Sequence, residues 1–218
     1  MRIEIWSDVI CPWCYIGKHL FEHALQQFPH KEEVKVVYRS FQLDPYAPQR
    51  RTENFIDRFA SKYDVSVEQA EAALATIEQA AAEARLEFHL AQTRSGNTAD
   101  AHRILYLAKA RGLQEPVIER FFRAYFTEGQ SLFDHDSLVR LSAEAGLDPQ
   151  EVRRVLKNNT YIEHIIADYA EAQNIGVSGV PFFIIDGRYA VSGAQPSELF
   201  TQAMDQAWSE PPLPSDPP

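Results

Sequence analysis

The sequence predicts an α/β fold in which one sheet is assembled from the two ends of the chain, with a large all-helical insertion between them. Three observations predict it. Residues 1–41 alternate strand, helix and strand in their apolar pattern. Residues 44–175 then carry apolar side chains at helical spacing. Residues 176–210 return to strand character, with two β-rich runs around an Asp-Gly pair and a closing helix.

Taken in order, Arg2 to Trp6 reads as a strand because Ile3 and Ile5 alternate with Arg2 and Glu4. Pro12 occupies the place favoured at the first position of a helix. Ile16, Leu20, Ala24 and Leu25 then recur at helical spacing, up to Phe28 before Pro29. Val34 to Phe41, "VKVVYRSF", is β-branched and aromatic and reads as a second strand. A β–α–β opening implies parallel strands and a right-handed crossover. "QLDPYAPQR" is a proline-marked connection.

Beyond it, Ala70, Ala73, Leu74, Ile77, Ala80, Ala81, Ala84 and Phe88 form one apolar stripe, and Ile104, Leu105 and Ala108 a second. Val117, Ile118, Phe121, Phe122, Tyr125 and Phe126 make a broad face that should be well buried. Leu138, Leu141 and Ala145 lead to Gly146, a C-cap, and Tyr161, Ile165, Tyr169 and Ala172 continue the pattern. Phe182 to Ile185, Asp186-Gly187 and Arg188 to Val191 read as a hairpin with a two-residue turn. Pro196 opens a last helix through Ala203 to Trp208. The expected division is a discontinuous domain of residues 1–43 and 176–210, a helical insertion of residues 44–175, and a proline-rich tail of residues 211–218. The tail reads as a solvated terminus rather than a PxxP ligand.

The net charge of −10 comes without any basic cluster able to neutralise phosphates, which argues against nucleic-acid binding. No 18-residue apolar run marks a membrane span. Met1 leads straight into strand-like sequence with no apolar leader, so the expected location is the cytoplasm. In a reducing compartment a lone pair of cysteines is catalytic, redox-sensing or metal-binding sooner than structural.

That pair is Cys11 and Cys14, in "WSDVICPWCYIG". A cysteine at a helix N-terminus faces unpaired backbone N–H groups and the positive end of the helix dipole, which favour thiolate over thiol. Cys11 holds that place and is the expected exposed nucleophile. Cys14, one turn on and buried, is the expected resolving thiol. A metal reading would add His19 and His23. On one helix, however, Cys11 and His23 are separated by about 18 Å, against metal–ligand bonds of about 2.0–2.3 Å. A single-chain zinc site is therefore rejected, and a metal shared between two chains stays open. Two inert buried cysteines are the remaining alternative. Pro12, which starts a helix between them, argues against it.

"SDVICPWCYIGK", "FQLDP", "NTADAHR", "GVSGVPFFIIDGRYAVSGAQP" and the closing helix together resemble the DsbA-type disulfide oxidoreductases of thioredoxin-like fold, and more closely their FrnE-like branch. The resemblance covers nearly the whole chain. It implies a cis Val180–Pro181 bond in a loop lying against the cysteines, with the backbone of Val180 free to pair with an extended substrate. Pro12 and Trp13, between the cysteines, would tune the redox potential, and Trp13 would add apolar surface to a peptide site. One departure stands out. Many relatives carry a buried acid six residues before the first cysteine, and here that residue is Ile5. Glu4 and Asp8 flank it, read respectively as a solvent-facing strand residue and a turn former. Asn97 or Thr98 reads as an N-cap, and His102 as a packed histidine or a weak candidate for substrate binding.

The function expected is exchange of disulfides with protein or peptide thiols. It would need no cofactor beyond the Cys11–Cys14 disulfide and a redox partner, either glutathione or a thioredoxin system. Two alternatives stand beside it. One is a glutathione-dependent activity of the kappa-class transferase or hydroxychromene carboxylate isomerase type, whose members typically put serine at the nucleophile position. The other is a redox-sensing chaperone whose exposed aromatics would include Trp13, Phe122 and Phe126.

Overall fold

A computed structural model describes residues 1–211, so the tail beyond Pro211 lies outside the described residues. Strands β1 (Arg2–Ser7), β2 (Lys35–Ser40), β3 (Phe182–Ile185) and β4 (Tyr189–Ser192) form one sheet in the order β2-β1-β3-β4. β1 runs parallel to β2 and antiparallel to β3, and β3 runs antiparallel to β4. The two ends of the chain thus meet on either side of β1, as the α/β reading requires: Ile5 faces Tyr38 on one side and Phe183 on the other.

Strand alternation sends Ile3, Ile5 and Ser7 to one face of β1 and Glu4 and Trp6 to the other. The first face is covered by α1 (Pro12–Gln27) and by the last helix (Ser197–Ser209), where Phe21, Phe183 and Phe200 pack with ring centroids 4.7–5.7 Å apart. On the second face Trp6 packs with Ala172 and Val177 and donates its indole N–H to the Asp168 carbonyl at 3.1 Å.

Between β2 and β3 lie α2 (Phe55–Tyr63), α3 (Val67–Glu83), α4 (Ala99–Ala110), α5 (Gln114–Phe126), α6 (His135–Glu144), α7 (Pro149–Lys157) and α8 (Ile162–Asn174), with the last helix as α9. α1 belongs to both halves of the molecule. Phe21 faces the sheet, while the ring of Tyr15 stacks on Phe122 at 4.9 Å and on Phe88 at 5.7 Å. Phe122 and Phe126 are fully buried, so neither offers the exposed aromatic surface that a chaperone reading needs.

The structure corrects several boundaries. α3 ends at Glu83, because Arg85 takes a positive φ of 61° that breaks the helix, and Phe88 is buried from the following loop rather than from the α3 stripe. The hairpin turn holds three residues, not two: the Arg188 amide bonds to the Ile185 carbonyl at 3.1 Å, and β4 begins at Tyr189. Asp186 and Gly187 both adopt positive φ, the conformation the Asp-Gly pair favours. Pro196 caps α9 instead of occupying its first turn.

Candidate active site

β1 delivers the chain to the site. After Ser7 the backbone turns through Asp8, whose carbonyl accepts the Cys11 amide at 3.0 Å. Cys11 is the N-cap residue of α1, in extended conformation, with Pro12 in the first turn as the sequence reading expects. Its carbonyl accepts the amides of Cys14 at 3.0 Å and Tyr15 at 3.4 Å, so the helix hydrogen bonds begin at the cysteine itself. Both cysteines are free thiols.

The Cys11 thiol donates to the Val180 carbonyl at 3.5 Å, and the Val180–Pro181 bond is cis. Two residues some 170 positions apart thereby meet. Gly17 makes this approach possible, since a Cβ there would lie 2.9 Å from Cγ of Pro181. The Pro181 carbonyl is held in turn by the Gly193 amide at 2.8 Å. The expectation of an exposed Cys11 is corrected: the residue is 5% exposed, because the Val180–Pro181 loop closes over its sulfur. Cys14, at 2%, is buried as expected. Trp13 stands out at 39% exposed, and Pro12 before it lines a groove with Ile10, Leu43, Phe59 and Tyr63, with Arg58 and Lys62 among its walls.

Burial pushes the Cys14 thiol well above its ordinary range, and the hydrogen bond and charge of Cys11 add to that. The neighbouring Ser7 hydroxyl and Asp8 amide pull it back down. Asp8 forms the turn as the sequence reading expects, whereas Glu4 is largely covered rather than solvent-facing. Glu4 is turned to the Trp6 face of β1, away from α1, and is held by Arg39 at 2.7 Å and Arg2 at 2.8 Å. Asp8 is fully buried. Its Oδ2 accepts the Leu43 amide at 2.8 Å, and its Oδ1 lies 3.3 Å from Nε2 of His102, itself buried on α4. His102 is thus the packed histidine of the sequence reading, buried against Asp8 and offering no surface to a substrate.

Asn97 explains "FQLDP" and "NTADAHR" together. Its Oδ1 caps α4 by accepting the Ala99 amide at 2.9 Å, and its amide group donates to the carbonyls of Pro45 and Ala47 at 3.1 and 3.2 Å. Thr98, the residue at the cap position, makes no capping bond.

Sequence reasoning missed Ser7 and Lys18. Alternation along β1 carried the signal for Ser7, which falls on the Ile3–Ile5 face against α1. Lys18 is buried in α1, with its ammonium bonded to Glu22, Glu115 and Glu119 at 2.6–3.1 Å. His19, Glu22 and Glu119 bring potential metal-ligand atoms within 4.8 Å of one another, but the Lys18 ammonium already bonds both carboxylates. His19 and His23 are engaged away from the cysteines, with Glu119 at 3.7 Å and Gln27 at 3.2 Å respectively.

The family model described as the DSBA-like thioredoxin domain matches residues 2–205. A solved chain from Streptomyces coelicolor, described as a probable DsbA oxidoreductase, is 46% identical; it superposes with a TM-score of 0.93, covering 98% of this chain and 93% of that one. The uncharacterised protein YwbO of Bacillus subtilis is 28% identical over 212 residues, 94% of this chain and 96% of that protein. The cytosolic disulfide reductase DsbM of Pseudomonas aeruginosa shares the fold at 16% identity and a TM-score of 0.64, covering 94% and 98% of the two chains.

Proposed function

The chain belongs to the DSBA-like thioredoxin family, and from that premise we propose that it is a thiol–disulfide oxidoreductase working through Cys11 and Cys14. Cys11 attacks one sulfur of a substrate disulfide. A Cys11–substrate S–S bond forms, the substrate bond breaks, and the first substrate sulfur leaves as thiolate. Cys14 then attacks the Cys11 sulfur, which closes the Cys11–Cys14 disulfide and expels the second substrate sulfur. The reverse sequence oxidises a dithiol. The observation that carries this reading is the placement of the Cys11 sulfur at the head of α1, 3.5 Å from the Val180 carbonyl.

The substrates are protein or peptide thiols and disulfides. An extended segment would pair with the backbone at Val180, and Trp13 with the neighbouring groove would supply apolar contact. Pro12 and Trp13 set the potential. No cofactor is used beyond the two cysteines, which glutathione or a thioredoxin system resets. Among the described residues no helix is long and apolar enough to cross a membrane, and we place the reaction in the cytoplasm, where a lone Cys-x-x-Cys pair is a working group sooner than a staple.

Reduction of insulin disulfides tests the reading. Cys11→Ser should abolish it, and Cys14→Ser should accumulate a Cys11–substrate mixed disulfide, visible as a non-reducing gel shift. A Cys11→Ser protein reducing insulin at the wild-type rate would sink the assignment. Calorimetry of Cys11→Ser with reduced glutathione separates this activity from a glutathione-dependent transferase, which would keep its binding site without the cysteine.

A further inference from the structure

Ile10 and Pro12, the residues on either side of Cys11, line a groove whose opposite wall is α2. Phe55, Phe59 and Tyr63 recur one turn apart along that wall, and Leu43 joins them from the connection after β2. The charged residues lining the groove are Arg58 and Lys62, both cations and again one turn apart. Among the described residues neither is paired with a carboxylate; Lys62 stands 5.3 Å from the centre of the Tyr63 ring. In the wider cleft beyond them the charges are engaged differently. Arg51 is held by Asp44 at 2.6 Å and Asp57 accepts the Asn54 side-chain amide at 2.7 Å, while Glu53 lies in that cleft and does not line the groove. Like charges one turn apart weaken a helix, so the Arg58–Lys62 pair does nothing for α2 itself. Nor is α2 a core element: it buries none of its residues fully, Phe55 and Phe59 are half-buried, and Tyr63 is exposed. A chain with a net charge of −10 thus sets a cationic, apolar-walled groove beside Cys11.

We propose that α2 selects the substrate: the protein segment whose cysteine meets Cys11 lays an apolar side chain into the groove and sets an acidic side chain against Arg58 and Lys62. This rests on the reading of Cys11 as the attacking thiol, and it narrows the substrates to acidic, apolar stretches of protein. Backbone pairing at Val180 holds such a segment whatever its sequence, and the groove reads its side chains. A carboxylate accepts charge-assisted hydrogen bonds from the guanidinium and the ammonium, and the aromatic wall of α2 keeps water from weakening them. The excess negative charge of the chain repels an anionic segment elsewhere, so the two cations focus its approach on the side of Cys11. A basic segment meets like charge at the same place and is rejected.

Peptides of matched length, each with one cysteine activated as its 2-pyridyl disulfide, test this. Attack of Cys11 on the peptide sulfur forms the Cys11–peptide disulfide and releases pyridine-2-thione, which stopped-flow absorbance follows. The peptides carry leucine next to the cysteine and glutamate, glutamine or lysine beyond it, placed before the cysteine in one set and after it in a second. In one of the sets the reduced wild-type protein should react at low salt about tenfold faster with the glutamate peptide than with the lysine peptide, with glutamine between. That ratio should fall to about twofold near 1 M salt, where the charges are screened. Serine in place of leucine should slow the glutamate peptide. Arg58→Gln with Lys62→Gln should bring the three rates within about twofold of one another. Arg58→Glu with Lys62→Glu should make the lysine peptide the faster, an inversion that a merely structural role does not produce. If the double variants do not fold, Lys62→Glu alone, at an exposed position, should cut the ratio about threefold. Equal rates for glutamate and lysine peptides in both sets, a wild-type preference that persists in these variants, or an unchanged rate with serine overturns the proposal and leaves the redox couple intact. So does the 2-pyridyl disulfide of glutathione, which has carboxylates and no apolar side chain, if it reacts faster than the glutamate peptide. No thione release by the wild-type protein, or release that persists in Cys11→Ser, overturns the redox reading itself.

Discussion

Lys18 and Glu119 show how a single side chain ties α1 to the helical insertion. Lys18 is a charged residue with 2% of its side chain exposed, tolerable only because three carboxylates surround it. Burial pushes the Glu119 carboxyl up, but hydrogen bonds from His19, Lys18 and Tyr15 and the charge of Lys18 outweigh it, and the group settles at about 2. A carboxyl lowered in the folded state stabilises the fold above its ordinary range, and that stability is lost as pH falls from about 4.5 towards 2. At full value the shift is worth about 3 kcal/mol; with a third of the side chain in solvent, about 1 kcal/mol is expected. Urea unfolding of wild type and Glu119→Gln should therefore differ by about 1 kcal/mol more at pH 6 than at pH 2.5. Glu22 acts in the opposite sense, being raised by burial despite Lys18, so the difference between the two proteins, not the wild-type curve alone, isolates Glu119. Equal differences at both pH values would count against the assignment. Nothing local in "YIGKHLFEH" distinguishes Lys18 from a surface lysine, because its partners Glu115 and Glu119 come from α5, about a hundred positions away.

At the scale of elements, the site is made by two contacts of α1: its N-terminus against the Val180–Pro181 loop, and its first turns against Ser7 and Asp8. Gly17 sets the first contact. In Gly17→Ala the new Cβ would fall 2.9 Å from the Pro181 ring, so ring and loop must shift. Overpacking of this kind costs about 1–3 kcal/mol. It also moves the Val180 carbonyl relative to Cys11, so the rate of insulin reduction should change together with the urea midpoint. Wild-type values for both would show that the loop is not seated on Gly17. The elements themselves were largely legible. Alternation found β1, and Pro12 with the apolar spacing that follows found α1. The Asp-Gly pair found the hairpin, though not its third turn residue. α2 and α7 carry no stripe singled out from the sequence, and Phe88 was assigned to a helix that ends before it. In each case a boundary depended on where the chain could bury a side chain rather than on local preference.

For the whole molecule, one apolar core runs from the sheet through α1 into α3, α4 and α5, joining Ile3, Ile5, Phe183 and Phe200 with Tyr15, Leu74, Ile104 and Phe122. Asp168 of α8 adds a polar fastening, accepting the Ser40 amide at 2.6 Å and Arg39 at 3.0 Å. The halves should therefore unfold together. Far-UV circular dichroism, dominated by the helices between β2 and β3, and fluorescence, which includes the sheet residue Trp6, should give coincident urea transitions. Two separated transitions would mean that the helical segment is an independent domain.

By itself the sequence determined the α/β class, the meeting of both chain ends in one sheet, and the place of the Cys11–Cys14 pair at the head of a helix. These follow from local patterns and short motifs, which each segment carries whatever its surroundings. The tertiary structure decided that Cys11 is covered, that Glu4 faces away from α1, and that Asp8 is buried against His102. Burial and pairing are properties of segments brought together from distant positions. The physical state of an ionisable side chain depends on those neighbours, and the local sequence does not contain them.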